Sequence, residues 1–130
     1  MAATRKTPDG AGMARGARPN RTRPRATAAR QALRLYEAEL LRLKGELLLL
    51  GKDGEPEAQA CFREAIEVAR RQSAKWWELR ATVSLARLLR DMGYRDEART
   101  TLVEIYNWFT EGFDTADLKD AKALLDELSN

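Results

Sequence analysis

The sequence contains no histidine, and this absence excludes many kinds of catalytic site. Histidine is the usual general base near neutral pH and the commonest metal ligand, so Ser-His and Cys-His nucleophile pairs cannot be built. The single cysteine, Cys61, can form no disulfide within the chain and cannot supply a zinc site alone. We therefore expect no enzyme activity, no catalytic residue, no cofactor and no metal, and we expect Cys61 to be a small buried hydrophobic residue.

Long apolar runs are also missing. The longest run, Leu47 to Leu50, has four residues, whereas a helix that crosses a bilayer needs roughly 20. The N-terminus lacks the apolar central region of a secretory signal. No Gly-x-x-x-x-Gly-Lys-Ser/Thr loop occurs, so a phosphate-binding site of that kind is not expected. These features favour a cytoplasmic protein that makes no contact with a membrane.

The charge is divided unevenly along the chain. Residues 1–30 contain eight Lys or Arg and one acidic residue, whereas residues 31–130 have a net charge of −4. Arg, Pro, Gly and Thr dominate residues 1–26, which have too few apolar side chains to offset the entropy of ordering. We predict a disordered basic tail over residues 1–26 and a helical domain over residues 27–130.

The basic tail supports an alternative function. Its arginines could bind phosphates without base specificity, which would make the chain a nucleic-acid-binding regulator. Residues 1–30 contain no aromatic residue for stacking on bases, so nucleic acid is the less favoured partner.

Apolar spacing predicts five helices after the tail. Their expected ranges are residues 27–50, 55–72, 74–92, 95–110, and from 114 or 115 to the C-terminus. The first helix has one apolar stripe, formed by Leu33, Tyr36, Leu40, Leu43, Leu47 and Leu50. The expected inward residues of the others are Ala58, Phe62, Ala65 and Ala69; Trp76, Leu79, Val83, Leu85, Ala86 and Leu89; Ala98, Leu102, Ile105 and Phe109; and Leu118, Ala121, Leu124, Leu125 and Leu128.

Similar small and large residues recur between the helices. Ala58-x-x-x-Phe62-x-x-Ala65 is repeated as Ala98-x-x-x-Leu102-x-x-Ile105. In the preceding helices, the small residues Gly45 and Ala86 would let paired helices approach closely, and Phe62 and Leu102 would fill the space between them. We predict an all-α fold of antiparallel helix hairpins, stacked as a short tetratricopeptide-like repeat array with a C-terminal closing helix. The repeat-packing residues would be Gly45, Ala58, Phe62, Ala65, Ala86, Ala98 and Leu102.

This pattern resembles the tetratricopeptide repeat, and its period of forty residues also fits HEAT-type helical repeats. The stretches 38–49, 57–66, 78–81 and 108–119 are also similar to the C-terminal repeat region of large bacterial regulatory (STAND-type) ATPases, many of which carry an adenylate or guanylate cyclase domain. The ATPase and cyclase domains have no counterpart in these 130 residues, so one interpretation is a shortened relative. The resemblance implies a docking or sensing role by protein contact in bacterial signal transduction.

Several exposed side chains are candidates for partner binding. Arg80, Arg87 and Arg90 share one face of the third helix, and Glu39 and Arg42 on the first helix would line the same groove. One hypothesis is an arginine clamp for an acidic peptide, and the alternative, which we favour, is an ordinary solvated helix face. Trp77 lies off the apolar stripe and is a further candidate for partner contact, whereas Trp76 and Trp108 are expected as core or hairpin-staple residues near helix ends.

The first helix also predicts association. Its Leu41, Leu48 and Leu49 side would be covered by an earlier repeat in a longer array. We expect an apolar strip to be exposed there, and hence self-association or docking to a larger protein.

Overall fold

The computed structural model describes residues 17–130, including the side chains of residues 27–34 and 36–130. This part of the chain is helical and contains no strand. Its helices are α1 (Ala17–Leu48), α2 (Glu55–Arg71), α3 (Lys75–Asp91), α4 (Arg95–Tyr106) and α5 (Ala116–Ser129). The all-helical part of the sequence prediction is therefore confirmed for the described residues.

The chain divides into two units, residues 1–34 and residues 35–130. In the first unit, helix α1 begins at Ala17, so residues 17–26 are helical where we expected a disordered tail. Pro19 falls in the first turn of this helix, where proline is tolerated, and the alanines and arginines are good helix formers. Pro24 lies in the interior of the helix, where proline removes one backbone hydrogen bond. The remainder of the predicted tail lies outside the described residues.

Helix α3 is the centre of the second unit. It packs against α2, α4 and α5, and its side chains also contact the C-terminal part of α1. Burial therefore extends around most of its circumference and includes polar residues such as Thr82 and Ser84. A helix that is covered on nearly all sides is typical of the interior of an all-helical domain.

The turns before and after α3 have the same backbone structure. Ser73 and Gly93 both have positive φ angles, 55° and 93°. In each turn the next residue's N–H donates to a carbonyl five residues earlier, from Ala74 to Ala69 and from Tyr94 to Leu89. This is the Schellman motif, in which glycine is the usual residue with positive φ; Gly93 follows that preference, and Ser73 takes the same conformation without being glycine.

The predicted inward residues of α2 and α5 are all buried, and so are those of α4 together with Phe109 just after it. In α3, Trp76 is the exception, because 43% of its surface is exposed. Helix α4 ends at Tyr106, before the expected Thr110, so that Phe109 reaches the core from the following turn.

The face of α1 that packs inward differs from the prediction. The predicted stripe is exposed, whereas Leu41, Leu48 and Leu49, expected outside, pack against the core. Helix α1 is apolar on both sides, and only the inward side carries the small residues Ala38 and Gly45. Small residues permit the closer approach, so that side faces the domain.

Gly45 lies directly against the ring of Phe62. A Cβ atom placed on Gly45 would be 2.5 Å from Cε1 of Phe62, closer than van der Waals contact allows. The ring is fully buried and cannot move without displacing its neighbours. The close approach of α1 to α2 therefore requires glycine at this position.

We predict that Gly45→Ala lowers the free energy of unfolding by about 1–2 kcal/mol, because the overpacking cost exceeds the helix preference of alanine. Urea unfolding followed by circular dichroism measures this change. Gly51→Ala is the matched control, since its added Cβ would lie 3.7 Å from the nearest atom, the Leu48 carbonyl oxygen. Equal stability of the Gly45→Ala variant and the unaltered chain would contradict the packing described here.

Candidate interaction surfaces

A charged groove lies where α1, α3 and α5 meet. It has a volume of about 270 Å³, and the residues that line it are Arg42, Arg80, Val83, Ser84, Arg87, Asp117 and Asp120. Arg80 lies between two helices, with its guanidinium 3.1 Å from Glu39 of α1 and 3.1 Å from Asp117 of α5. The groove is therefore lined by charges that are largely paired within the chain.

Glu39 and Arg42 form the tightest ion pair in this groove. Nε and one terminal nitrogen of Arg42 each donate to a different carboxylate oxygen of Glu39 at 2.8 Å. Burial tends to raise the pKa of Glu39, but the hydrogen bonds and positive charges of Arg42 and Arg80 outweigh it, so its pKa lies below the ordinary value. The same pair raises the pKa of Arg42, chiefly through the hydrogen bond to Glu39.

Ser84 joins this network from the buried face of α3. Its hydroxyl donates to Glu46 at 2.8 Å, and Arg42 is 3.4 Å from the same hydroxyl oxygen. These contacts connect residues that are about forty positions apart in the sequence, so spacing along one helix gave no signal for them.

The residues of the proposed arginine clamp are only partly brought together. Glu39, Arg42, Arg80 and Arg87 lie at the groove, but Arg90 pairs with Glu127 and Asp91, both at 3.0 Å. Arg87 is exposed and has no ion pair or hydrogen bond with another described residue. Of the arginines in the groove, Arg87 is therefore the one without an ion pair to a described residue, whereas Arg42 and Arg80 already bind carboxylates of the chain.

Trp77 is half-buried and packs against other residues of the chain. Its ring centroid is 5.8 Å from that of Tyr36, and the guanidinium of Arg80 lies 5.4 Å from its centroid. These contacts give Trp77 a structural role in holding α1 against α3.

A second candidate surface, here called the tryptophan patch, consists of Trp76, Trp108 and Lys75. Trp108 is 56% exposed, and the Lys75 ammonium lies 5.4 Å from its ring centroid. Trp76 rests on Phe109, with the ring centroids 4.7 Å apart. Of the two roles expected for Trp76 and Trp108, the core position is taken by Phe109, and the two indoles cover its ring from outside, near helix ends.

A third surface, the outer leucine row, runs along the exposed side of α1 and into the turn after it. Leu40, Leu43 and Leu47 are 60%, 43% and 67% exposed. Tyr36 and Leu50 continue the row and are also exposed. Ala38 and Gly45, on the opposite side of the helix, are buried, so the orientation of α1 itself turns these leucines outward.

No family model matches the chain, and neither the curated proteins nor the solved structures include a match. Within residues 17–130, no helix combines the length and the apolar character that crossing a bilayer requires. The described side chains also contain no group of three or more Cys, Asp or Glu arranged to hold a metal ion.

We predict that Glu39→Gln destabilises the chain by about 1–2 kcal/mol at pH 7, because it removes the charge that Arg42 and Arg80 share. The pKa of Glu39 is lower in the folded chain, so its contribution is fully present above the ordinary glutamate pKa, roughly 4.3. The contribution disappears as the pH falls through the lowered folded value.

The measurement is urea unfolding of both proteins between pH 7 and pH 3. The stability difference should shrink below about pH 4.3 as the carboxylate is protonated. Glu64→Gln, an exposed change on α2, should have little effect at any pH. A difference that stays constant down to pH 3 would argue against the ion-pair account.

Proposed function

We propose that the chain is a protein–protein interaction module of tetratricopeptide type, which docks to another protein surface through the outer leucine row. The observation that carries this proposal is the exposure of Leu40, Leu43 and Leu47 side by side on one helix. Leaving a leucine in water forgoes about 1.5–3 kcal/mol of burial, and a contiguous apolar surface is typical of an interaction site.

Three further observations support a repeat-type scaffold. Gly45 contacts Phe62 as a repeat hairpin requires, and the small residues Ala58, Ala86 and Ala98 are buried in the same core. Each helix from α2 onward packs against the next one, and α3 also contacts α5. In a stacked array, alternate helices are neighbours in this way.

The resemblance to the repeat region of bacterial regulatory ATPases gives the proposal its biological setting. In that setting the module senses or docks a component of a signalling system, and the partner's apolar helix or groove covers the row. The charged groove supports this role indirectly, because the ion pair between Arg80 of α3 and Glu39 of α1 helps to hold α1 in one orientation.

Site-specific photocrosslinking tests the proposed function. A photoreactive amino acid replaces Leu43, and the matched control carries it at Glu64, which is exposed on α2. In cells that express the chain, irradiation should give a discrete protein adduct from position 43 and none from position 64. The proposal fails if position 43 gives no protein adduct of any size.

A further inference from the structure

We infer that the outer leucine row binds a second copy of this chain, in an antiparallel pairing of two α1 helices. This inference rests on the proposed function and names the partner. It follows from the spacing of the leucines, from the charged residues on the two sides of the row, and from the ion pairs that some of those residues already form within their own chain.

The row has the spacing of a coiled-coil seam. Within the helix, from Tyr36 through Leu40 and Leu43 to Leu47, the steps are four, three and four residues. This is the a/d pattern, whose period of 3.5 keeps one apolar edge facing a partner helix. A helix that docks in a groove uses the same spacing, so the choice of a second α1 helix as the occupant rests on the charges beside the row.

The opposite face of α1 is already occupied by the chain itself. Ala38 and Gly45 stand at the f positions of the same heptads, and both are buried against the domain. A partner helix therefore approaches Leu40, Leu43 and Leu47 from the solvent side, and it covers only the exposed part of Tyr36, whose ring also contacts Trp77 of α3.

Antiparallel pairing matches the apolar residues layer by layer. With the two-fold axis between Leu40 and Leu43, Leu40 of one copy meets Leu43 of the other. Tyr36 then meets Leu47 of the second copy, and each contact occurs twice. Such an interface uses the same surface on both chains, as symmetric dimers do.

The charges beside the row are complementary to themselves in this orientation. Glu37 and Lys44 occupy e positions, both are exposed, and neither forms an ion pair with another described residue. In an antiparallel pair e positions face e positions, so Glu37 approaches Lys44 of the second copy, and the reverse contact forms by symmetry.

A parallel pair of α1 helices would form weaker charge contacts between the two copies. It would place Lys44 opposite Glu39 of the second copy, at a g position. The carboxylate of Glu39 is only 14% exposed and already binds Arg42 and Arg80. On the g side of an antiparallel pair, Glu39 and Glu46 would face each other, but both are within ion-pair distance of Arg42 in their own chain.

Sedimentation equilibrium of the full chain, over about 1 μM to 1 mM protein, tests the inference. The unaltered chain should show a reversible monomer–dimer equilibrium. Leu43→Glu should raise the dimer dissociation constant roughly 100-fold or more, because it places two carboxylates in the seam. Met92→Glu is the control for an exposed apolar residue away from α1, and circular dichroism verifies that each variant is folded.

Charge variants test the orientation. Lys44→Glu and Glu37→Lys should each raise the dimer dissociation constant roughly tenfold. The double variant, in which the two charges are exchanged, should return it to the value of the unaltered chain. Lys119→Glu on α5 is the control and should leave it unchanged. In a parallel dimer the double exchange would stay weak, because the carboxylate that Lys44→Glu introduces would still face Glu39. That result overturns the antiparallel pairing.

Two other outcomes also overturn the inference. One is an unaltered chain that stays monomeric at every concentration, and the other is a dimer that Leu43→Glu leaves unchanged. If the chain is monomeric and the adduct from position 43 contains a different protein, the second-copy inference fails while the proposed function stands. An adduct of twice the mass of the chain supports both.

Discussion

The contact between Gly45 and the Phe62 ring sets the orientation of helix α1 against the rest of the second unit. Because a side chain at position 45 would overlap the ring, α1 can approach α2 only with this glycine turned inward. The same rotation places Glu39, Arg42 and Glu46 toward α3 and turns the outer leucine row to solvent. One close approach thus determines both the charged groove and the apolar surface.

The ion pairs of the charged groove connect three helices. Arg80 of α3 reaches Glu39 of α1 and Asp117 of α5, so one guanidinium joins three elements of the second unit. A bidentate pair and a shared cation hold geometry better than isolated surface pairs do, because each arm restricts the freedom of the next. The rigid placement of α1 that results presents Leu40, Leu43 and Leu47 as a fixed row, which reduces the entropy lost on association.

Most of the core of α2, α4 and α5 could be predicted from the sequence, because each of these helices has one clearly apolar face, whereas α3 is buried around most of its circumference and its spacing revealed only part of that burial. Helix α1 could not be oriented in the same way, since hydrophobicity alone does not choose between two apolar sides. Residue size does choose: Ala38 and Gly45 mark the face that permits close packing. The adjacent Trp76 and Trp77 posed a similar problem, because Phe109 occupies the core position near them from a turn.

The ion pairs of the groove depend on distances between residues that are far apart in the sequence. The helical spacing placed Arg80 and Arg87 on one face, but it could not reveal that Asp117 of α5 would engage Arg80. For the same reason the sequence offered only a clamp or a solvated face for these arginines and did not indicate that two carboxylates of the chain itself bind Arg80. The carboxylates that pair with these arginines can be identified only from the three-dimensional structure.

The most direct measurement of the central claim is the nuclear Overhauser effect between the α protons of Gly45 and the ring protons of Phe62. In the unaltered chain this cross-peak should be strong, and the ring current should displace the Gly45 α-proton shifts from their usual range. Absence of the cross-peak in a folded sample would contradict the placement of α1, and the outward orientation of the leucine row would no longer have a structural basis.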